Sequence, residues 1–64
     1  MIKYKALYIF YIRIEKIEVL RETEKSVFTE NKKELKETAY YKYFDTFQEA
    51  KEFLIKIYTD RLED

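Results

Sequence analysis

Glycine and proline are absent from this 64-residue sequence, and their absence constrains every turn that the chain can make. Glycine tolerates left-handed backbone and proline presets many turns, so here each reversal must be built from residues that carry a Cβ. Asn31 is the only asparagine and is therefore the best candidate for a left-handed turn residue. It lies in the polar segment 30–33, which is the clearest turn in the sequence.

The strongest prediction for a single element is a C-terminal helix that begins after Thr46. Thr46 and Glu49 have the spacing of a capping box, in which the threonine accepts a free backbone N–H and the glutamate reaches back. Apolar residues then recur at helical spacing along one side, and Leu54 and Ile57 are expected in the core. Ile55 lies outside this stripe, about a third of a turn from its centre.

The sequence before the helix predicts antiparallel strands. Residues 2–12 predict a first strand with one apolar face at its even-numbered positions, and further strands are predicted over 17–23, 27–28 and 34–41. The other face of the first strand is polar at its ends and apolar in the middle. We predict one α+β domain, residues 1–64, with an antiparallel meander of three or four strands and one C-terminal helix packed on one sheet face.

The absence of cysteine and histidine excludes much of the chemistry of enzymes and metalloproteins. Disulfides and thiolate metal sites are impossible, and the commonest general base is missing. Ser26 would need a lysine base, and its neighbour Lys25 would lie on the opposite face of a strand. We therefore expect no enzymatic activity, no catalytic residues, no metal and no cofactor.

The charge balance restricts the partners that the chain can attract. Its 13 basic and 13 acidic residues cancel, so no general field draws it to nucleic acid. No apolar run approaches the roughly 20 residues of a membrane span, and no cleavage site follows the first apolar run. We expect no membrane partner and, by default, a cytoplasmic location.

Aromatic residues are the richest functional signal, with seven tyrosines and five phenylalanines. One helix packed on one sheet cannot easily enclose twelve aromatic rings, and tyrosine is favoured at protein interfaces. The predicted interface takes the apolar middle of the second sheet face, the tyrosines before the helix and one outlying helical residue: Leu7, Ile9, Tyr11, Tyr40, Tyr41, Tyr43 and Ile55. Lysines interleave with tyrosines at 3–5 and 40–43, so single-stranded nucleic acid stacking on a Tyr/Lys sheet surface is the alternative, which the neutral charge does not favour.

Two segments carry a resemblance to known sequences. Residues 19–28 (VLRETEKSVF) and 43–50 (YFDTFQEA) resemble a group of short uncharacterised proteins encoded by bacteria and their phages. The group often has tryptophan where this chain has Phe28 and Phe47. The resemblance implies no activity, and it favours a phage or mobile-element origin.

These observations together predict a small protein-binding module. With the resemblance, they suggest a phage-encoded inhibitor of a host defence system or host enzyme that acts by stoichiometric binding. A chain of this length without a disulfide or metal buries only about 60% of its unfolded surface. Because one helix can cover only one face of the sheet, we also expect a homodimer when no other partner is present.

Overall fold

The computed structural model describes residues 1–63, with side chains up to Asp60, and has the predicted α+β architecture with one C-terminal helix. Six strands replace the three or four that were expected. The elements are β1 (Ile2–Leu7), β2 (Arg13–Glu18), β3 (Arg21–Glu22), β4 (Ser26–Phe28), β5 (Lys33–Leu35), β6 (Tyr41–Phe44) and α1 (Phe47–Glu63).

The strands form two antiparallel sheets of three strands each. Sheet A has the order β2-β1-β6, and sheet B has the order β3-β4-β5. The sheets are joined on one side by the bend at Val19 and Leu20, which carries β2 into β3. On the other side, the Tyr43 N–H donates to the Lys36 carbonyl at 2.8 Å, which links β6 to the chain that follows β5. The two sheets therefore curl around a shared interior.

The alternation of β1 gives the fold two separate cores. Ala6 is buried under α1 with Ala50 and Leu54. Between the sheets, Val19, Val27 and Tyr43 form a second small cluster. Successive side chains of a strand point to opposite faces, so β1 contributes to both regions.

Helix α1 begins where the capping box places it. The Glu49 N–H donates to Thr46 Oγ1 at 3.1 Å, and the Thr46 hydroxyl donates to Glu49 Oε1 at 3.0 Å. The helix packs on sheet A, where the Phe53 ring lies 5.1 Å from that of Phe44, between centroids. Leu54 is buried as predicted, whereas Ile57 is only half-buried.

The first strand is shorter than predicted. It ends at Leu7, and residues 8–12 form the loop that returns the chain to β2. Phe10 and Ile12 were expected on the core face, but Phe10 is 85% exposed and Ile12 is also exposed. The apolar composition favours a strand locally, but pairing of Leu7 with Arg13 requires the chain to reverse between them.

The second face of β1 was expected to be open, but sheet B covers it. Lys3 and Lys5, at one polar end of that face, are consequently buried. Their ammonium groups meet carboxylates from sheet B, which lowers the cost of removing them from water.

The turns use threonine rather than left-handed backbone. No residue in the described part of the chain has a positive φ, so the prediction for Asn31 is wrong. In the turn at 29–32, the Thr29 N–H donates to the Lys32 carbonyl at 2.8 Å, and the Lys32 N–H donates to Thr29 Oγ1 at 3.3 Å. Thr23 accepts the Ser26 N–H in the same way at 3.2 Å.

Candidate functional site

Large apolar side chains are exposed on two loops and on the outer side of α1. We call this set the apolar surface. Its members come from the β1–β2 loop, the loop before β6 and the helix: Ile9, Phe10, Tyr11, Ile12, Tyr40, Ile55 and Tyr58. Exposed apolar clusters of this kind are uncommon on monomers and usually mark interaction sites.

A groove lies at the helical end of the apolar surface. Its walls are formed by Ile12 from the loop and by Leu54, Ile55 and Tyr58 from α1, and its volume is about 390 Å³. Lys51 and Thr59 also line it, so an ammonium group is the one formal charge among its lining residues. The helix positions 51, 55, 58 and 59 fall on one side because residues three and four apart are neighbours on a helix. The groove can accept an apolar side chain, and its cation favours a nearby carboxylate.

The two loops meet at the other end of the apolar surface. The rings of Phe10 and Tyr40 stack with centroids 6.1 Å apart and an interplanar angle of 13°. The Tyr8 N–H donates to the Tyr40 carbonyl at 3.2 Å and holds the loops together. The stacked pair remains open to solvent on both members, and it therefore offers a broad aromatic contact.

The structure divides the residues predicted for the interface into two groups. Ile9, Tyr11, Tyr40 and Ile55 lie on the apolar surface. The remaining three lie in sheet A, with Leu7 and Tyr41 half-buried and Tyr43 only 7% exposed: Leu7, Tyr41, Tyr43.

Sequence reasoning missed Phe10, Ile12 and Tyr58 as surface residues. Phe10 and Ile12 were assigned to the core because the alternation of the strand was continued past its end. Tyr58 fits the apolar stripe of the helix, but its side chain is 51% exposed. The sequence signal that could have revealed these loop residues is the apolar run of residues 6–12, which continues past the end of β1.

The second candidate region is the charged interior between the sheets. Lys5 is 9% exposed, and its ammonium donates to Glu34 Oε2 at 3.1 Å. The same ammonium lies 4.3 Å from the centroid of the Tyr41 ring, a cation–π distance. The Tyr43 hydroxyl donates to the other oxygen, Glu34 Oε1, at 2.6 Å. Glu34 therefore joins two strands of sheet A to β5.

Lys3, two residues before Lys5 on β1, connects sheet A to β3. Its ammonium lies 3.0 Å from Glu22 Oε2 on β3 and also donates to Asp45. Lys36 lies 2.9 Å from the same Glu22 oxygen. Each buried ammonium thus has at least one carboxylate partner, as groups removed from water require.

The ion pairs shift the pKa values of their members. The hydrogen bond to Asp45 raises the pKa of Lys3 above its ordinary 10.5, while burial opposes the rise and Glu22 adds to it. Hydrogen bonds from Lys36 and then Lys3 hold the pKa of Glu22 below 4.5. Near neutral pH these groups are charged, which maintains the ion pairs.

The pKa values of Glu34 and Tyr43 shift in opposite directions. Burial raises the pKa of Glu34, but the hydrogen bonds from Tyr43 and Lys5 outweigh it, so the pKa lies below 4.5. Burial and then the bond to Glu34 raise the pKa of Tyr43 far above 10.0. The tyrosine hydroxyl therefore stays protonated and remains a donor.

The charged interior has the chemistry of a structural network. Its acids and bases neutralise one another, and Lys3, Lys5 and Glu34 are each occupied by a partner. Among the described residues, no group of three acidic, histidine or cysteine side chains could hold a metal ion. Within the same part of the chain, no helix has both the length and the apolar character that a membrane span needs.

Comparisons of the chain with protein-family models, with curated proteins and with solved structures found no match.

Proposed function

We propose that this protein is a non-enzymatic binding module that forms a stoichiometric complex with another protein through its apolar surface. The observation that supports this function is the groove between the β1–β2 loop and α1, in whose wall Ile55 is 55% exposed. An exposed isoleucine in an apolar groove favours aggregation, and a bound partner that buries it removes this tendency. The stacked pair Phe10 and Tyr40 extends the contact with the kind of side chain that dominates binding energies.

The partner that fits the groove is a protein segment with an exposed apolar side chain and an adjacent carboxylate. The apolar walls formed by Ile12, Leu54 and Tyr58 would receive the apolar side chain. Lys51 at the groove would pair with the carboxylate, which contributes to specificity and orientation more than to affinity.

The alternative, single-stranded nucleic acid, has less support from the geometry. Stacking needs exposed rings beside free cations. Of the tyrosines at 40–43, Tyr40 alone is exposed, and Lys5 is occupied by Glu34.

The more specific proposal, a phage-encoded inhibitor of a host defence system or host enzyme, draws on the resemblance of residues 19–28 and 43–50. An inhibitor of this size would act by covering a surface of its target, because its own side chains offer no catalytic set. The same apolar surface would be paired between two copies of the chain when the target is absent.

Co-purification from bacterial lysates tests the proposal with two matched variants. Ile55→Lys places a charge in the groove, whereas Leu35→Lys places the same charge on sheet B at a residue of nearly equal exposure, 54%. We expect the unmodified protein and Leu35→Lys to retain one stoichiometric protein partner that Ile55→Lys loses. Loss of the partner in neither variant, or equally in both, would place the binding surface elsewhere. Recovery of no partner from several candidate hosts would count against the module itself.

A further inference from the structure

We propose that sheet B is a separately opening unit, held on sheet A by the inter-sheet ion pairs, which are Glu22 with Lys3 and Glu34 with Lys5. In this conformational device, loss of the ion pairs releases sheet B while sheet A and α1 stay folded. The inference is independent of the proposed binding function, because none of its residues belongs to the apolar surface.

Apolar packing between the two sheets is small. The fully buried residues of the inter-sheet cluster are Val19 and Val27, with Tyr43 beside them. Helix α1 packs on strands of sheet A, and its contacts in the described part of the chain do not extend to β3, β4 or β5. Ile17 and Tyr41 pack against this cluster but are only half-buried, so the apolar area buried between the sheets is limited. Sheet B therefore depends on polar contacts more than sheet A does.

The strands of sheet B cannot supply that stability themselves. β3 has two residues, and β4 and β5 have three residues each. A small sheet without a packed apolar face is marginal in water. Sheet B is therefore expected to open more readily than the larger unit formed by sheet A and α1.

The inter-sheet ion pairs connect β1 to both outer strands of sheet B. Glu22 lies on β3 and Glu34 on β5, and their partners Lys3 and Lys5 lie two residues apart on β1. The Tyr43 hydroxyl adds a contact from β6 to Glu34 at 2.6 Å. Removal of one member of a buried pair leaves the other charge uncompensated, which is costly.

Glu34 is the more consequential of the two acids. Lys3 keeps Asp45 as a second carboxylate when Glu22 is removed. Lys5, in contrast, has Glu34 as its carboxylate and otherwise faces the Tyr41 ring. Loss of the Glu34 charge therefore leaves the Lys5 ammonium without a carboxylate, so that contact with water becomes favourable. Water reaches this ammonium when sheet B opens.

The covalent connections permit this opening. Sheet B joins sheet A through the bend at Val19 and Leu20 and through the segment after Leu35. The two connections lie at opposite ends of the sheet order, β2 to β3 at one end and β5 to β6 at the other. Sheet B therefore opens by loss of its own strand pairing and of the hydrogen bond from the Tyr43 N–H to the Lys36 carbonyl, and the β1–β2 and β1–β6 pairing is kept.

Amide hydrogen exchange measured by NMR tests the proposal, with Glu34→Gln as the variant and Glu30→Gln as the control. Glu30 is exposed in the turn at 29–32, so its replacement changes the same charge without touching the interior. The reporter for sheet B is the Lys36 amide, which donates to the Lys25 carbonyl. The reporter for the larger unit is the Leu54 amide in α1. We expect Glu34→Gln to speed exchange at Lys36 by about tenfold or more, with Leu54 unchanged. Glu30→Gln should change neither.

Two outcomes would overturn the proposal. Equal acceleration at Lys36 and Leu54 would mean that the chain opens as one unit, and no acceleration at either would mean that Glu34 does not hold sheet B. Tyr43→Phe gives a milder test in case Glu34→Gln does not fold, because it removes only the hydroxyl that donates to Glu34. It should speed exchange at Lys36 selectively, and a uniform change in this variant would equally contradict the proposal.

Discussion

Thr23, Thr29 and Thr38 each accept a backbone N–H from two or three residues further along the chain. Thr38 accepts two, from Tyr40 at 3.1 Å and from Tyr41 at 3.3 Å. A hydroxyl that bonds to nearby backbone stabilises a turn without requiring a positive φ. Three turns and the start of α1 in this glycine-free sequence are therefore each stabilised by a threonine.

The first prediction concerns Thr46, the threonine at the start of α1. Thr46→Ala removes the oxygen that accepts the Glu49 N–H, and it should lower the free energy of unfolding by about 1 kcal/mol. Thr59→Ala is the control, because Thr59 is exposed within the helix, where alanine is at least as favourable. Denaturant unfolding of both variants measures the difference. An unchanged midpoint for Thr46→Ala would show that the cap contributes nothing.

Buried lysine is the second residue-scale feature. Lys5 is tolerated between the sheets because its ammonium group contacts a carboxylate and a tyrosine ring. The aliphatic part of its side chain can be buried at little cost. The same surroundings would not accept an unpaired ammonium. Alternation alone could not reveal this, because a lysine on a strand face normally indicates solvent.

Among the elements, α1 depends on a few buried contacts. Up to Asp60, its buried residues are Ala50 and Leu54, and Phe53 adds ring contacts to Tyr8 and Phe44. Ile57 is half-buried and the other helix residues up to Asp60 are exposed, so each of these contacts carries a large share of the packing against sheet A.

The second prediction follows for Leu54. Leu54→Ala should lower the free energy of unfolding by roughly 2–5 kcal/mol, because it leaves a cavity under the helix. Ile55→Ala, one position further, should change it by less than about 0.5 kcal/mol because Ile55 is exposed. Thermal unfolding followed by circular dichroism compares them. Similar losses for the two variants would mean that the helix is rotated from the orientation described.

The third prediction concerns the pH dependence of sheet B. Glu22 and Glu34 have pKa values below 4.5 in the folded protein, so their ion pairs contribute stability that is present above pH 4.5. That contribution is lost as the pH falls through the folded-state values, because the unfolded chain takes up protons first. The groups that face Glu34 are Lys5, Lys32, Tyr41 and Tyr43, and those that face Glu22 are Lys3 and Lys36.

Unfolding by urea from about pH 6 to about pH 3 measures this dependence. Glu34→Gln should be less stable at the upper end and should lose less stability on acidification than the unmodified protein. Glu30→Gln should follow the unmodified protein throughout. Parallel curves for Glu34→Gln and the unmodified protein would show that the Glu34 carboxylate is not coupled to folding.

At the scale of the whole molecule, the apolar surface combines exposed side chains from two loops and α1, whereas Leu20 and Leu35 are exposed elsewhere and the two sheets cover each other. The original reason to expect a dimer was an open sheet face, and sheet B removes that reason. The proposal of a dimer now depends on the apolar surface, in which Ile55 and Tyr58 on α1 adjoin Ile12 on the loop. A two-fold partner would bury the same surface on both copies.

The fourth prediction is the mass in solution. Light scattering coupled to size exclusion at micromolar concentration should give about twice the 8.0 kDa of one chain. Ile55→Lys should restore the mass of one chain, and Leu35→Lys should leave the dimer intact. A mass of one chain that does not change on concentration would refute self-association. If Leu35→Lys dissociates a dimer, the contact lies on sheet B.

Local sequence determined the elements whose interactions are close along the chain. The start of α1 at Thr46 and the burial of Leu54 follow from capping and from helical spacing, which act within a few residues. The exposure of Ile55 follows from the same spacing. Antiparallel strands were also predictable from their composition, although their ends were not.

Tertiary structure decided which strand faces are covered and by what. Alternation in β1 separates Lys3 and Lys5 from Tyr4 and Ala6, but it cannot show that carboxylates from β3 and β5, far along the chain, will meet the lysines. It also cannot show that the strand stops at Leu7, because the stop is imposed by pairing with β2 and β6. Burial of Tyr43 and exposure of Phe10 have the same origin. Strand pairing is non-local, so the short-range pattern specifies two faces and leaves their partners to the fold.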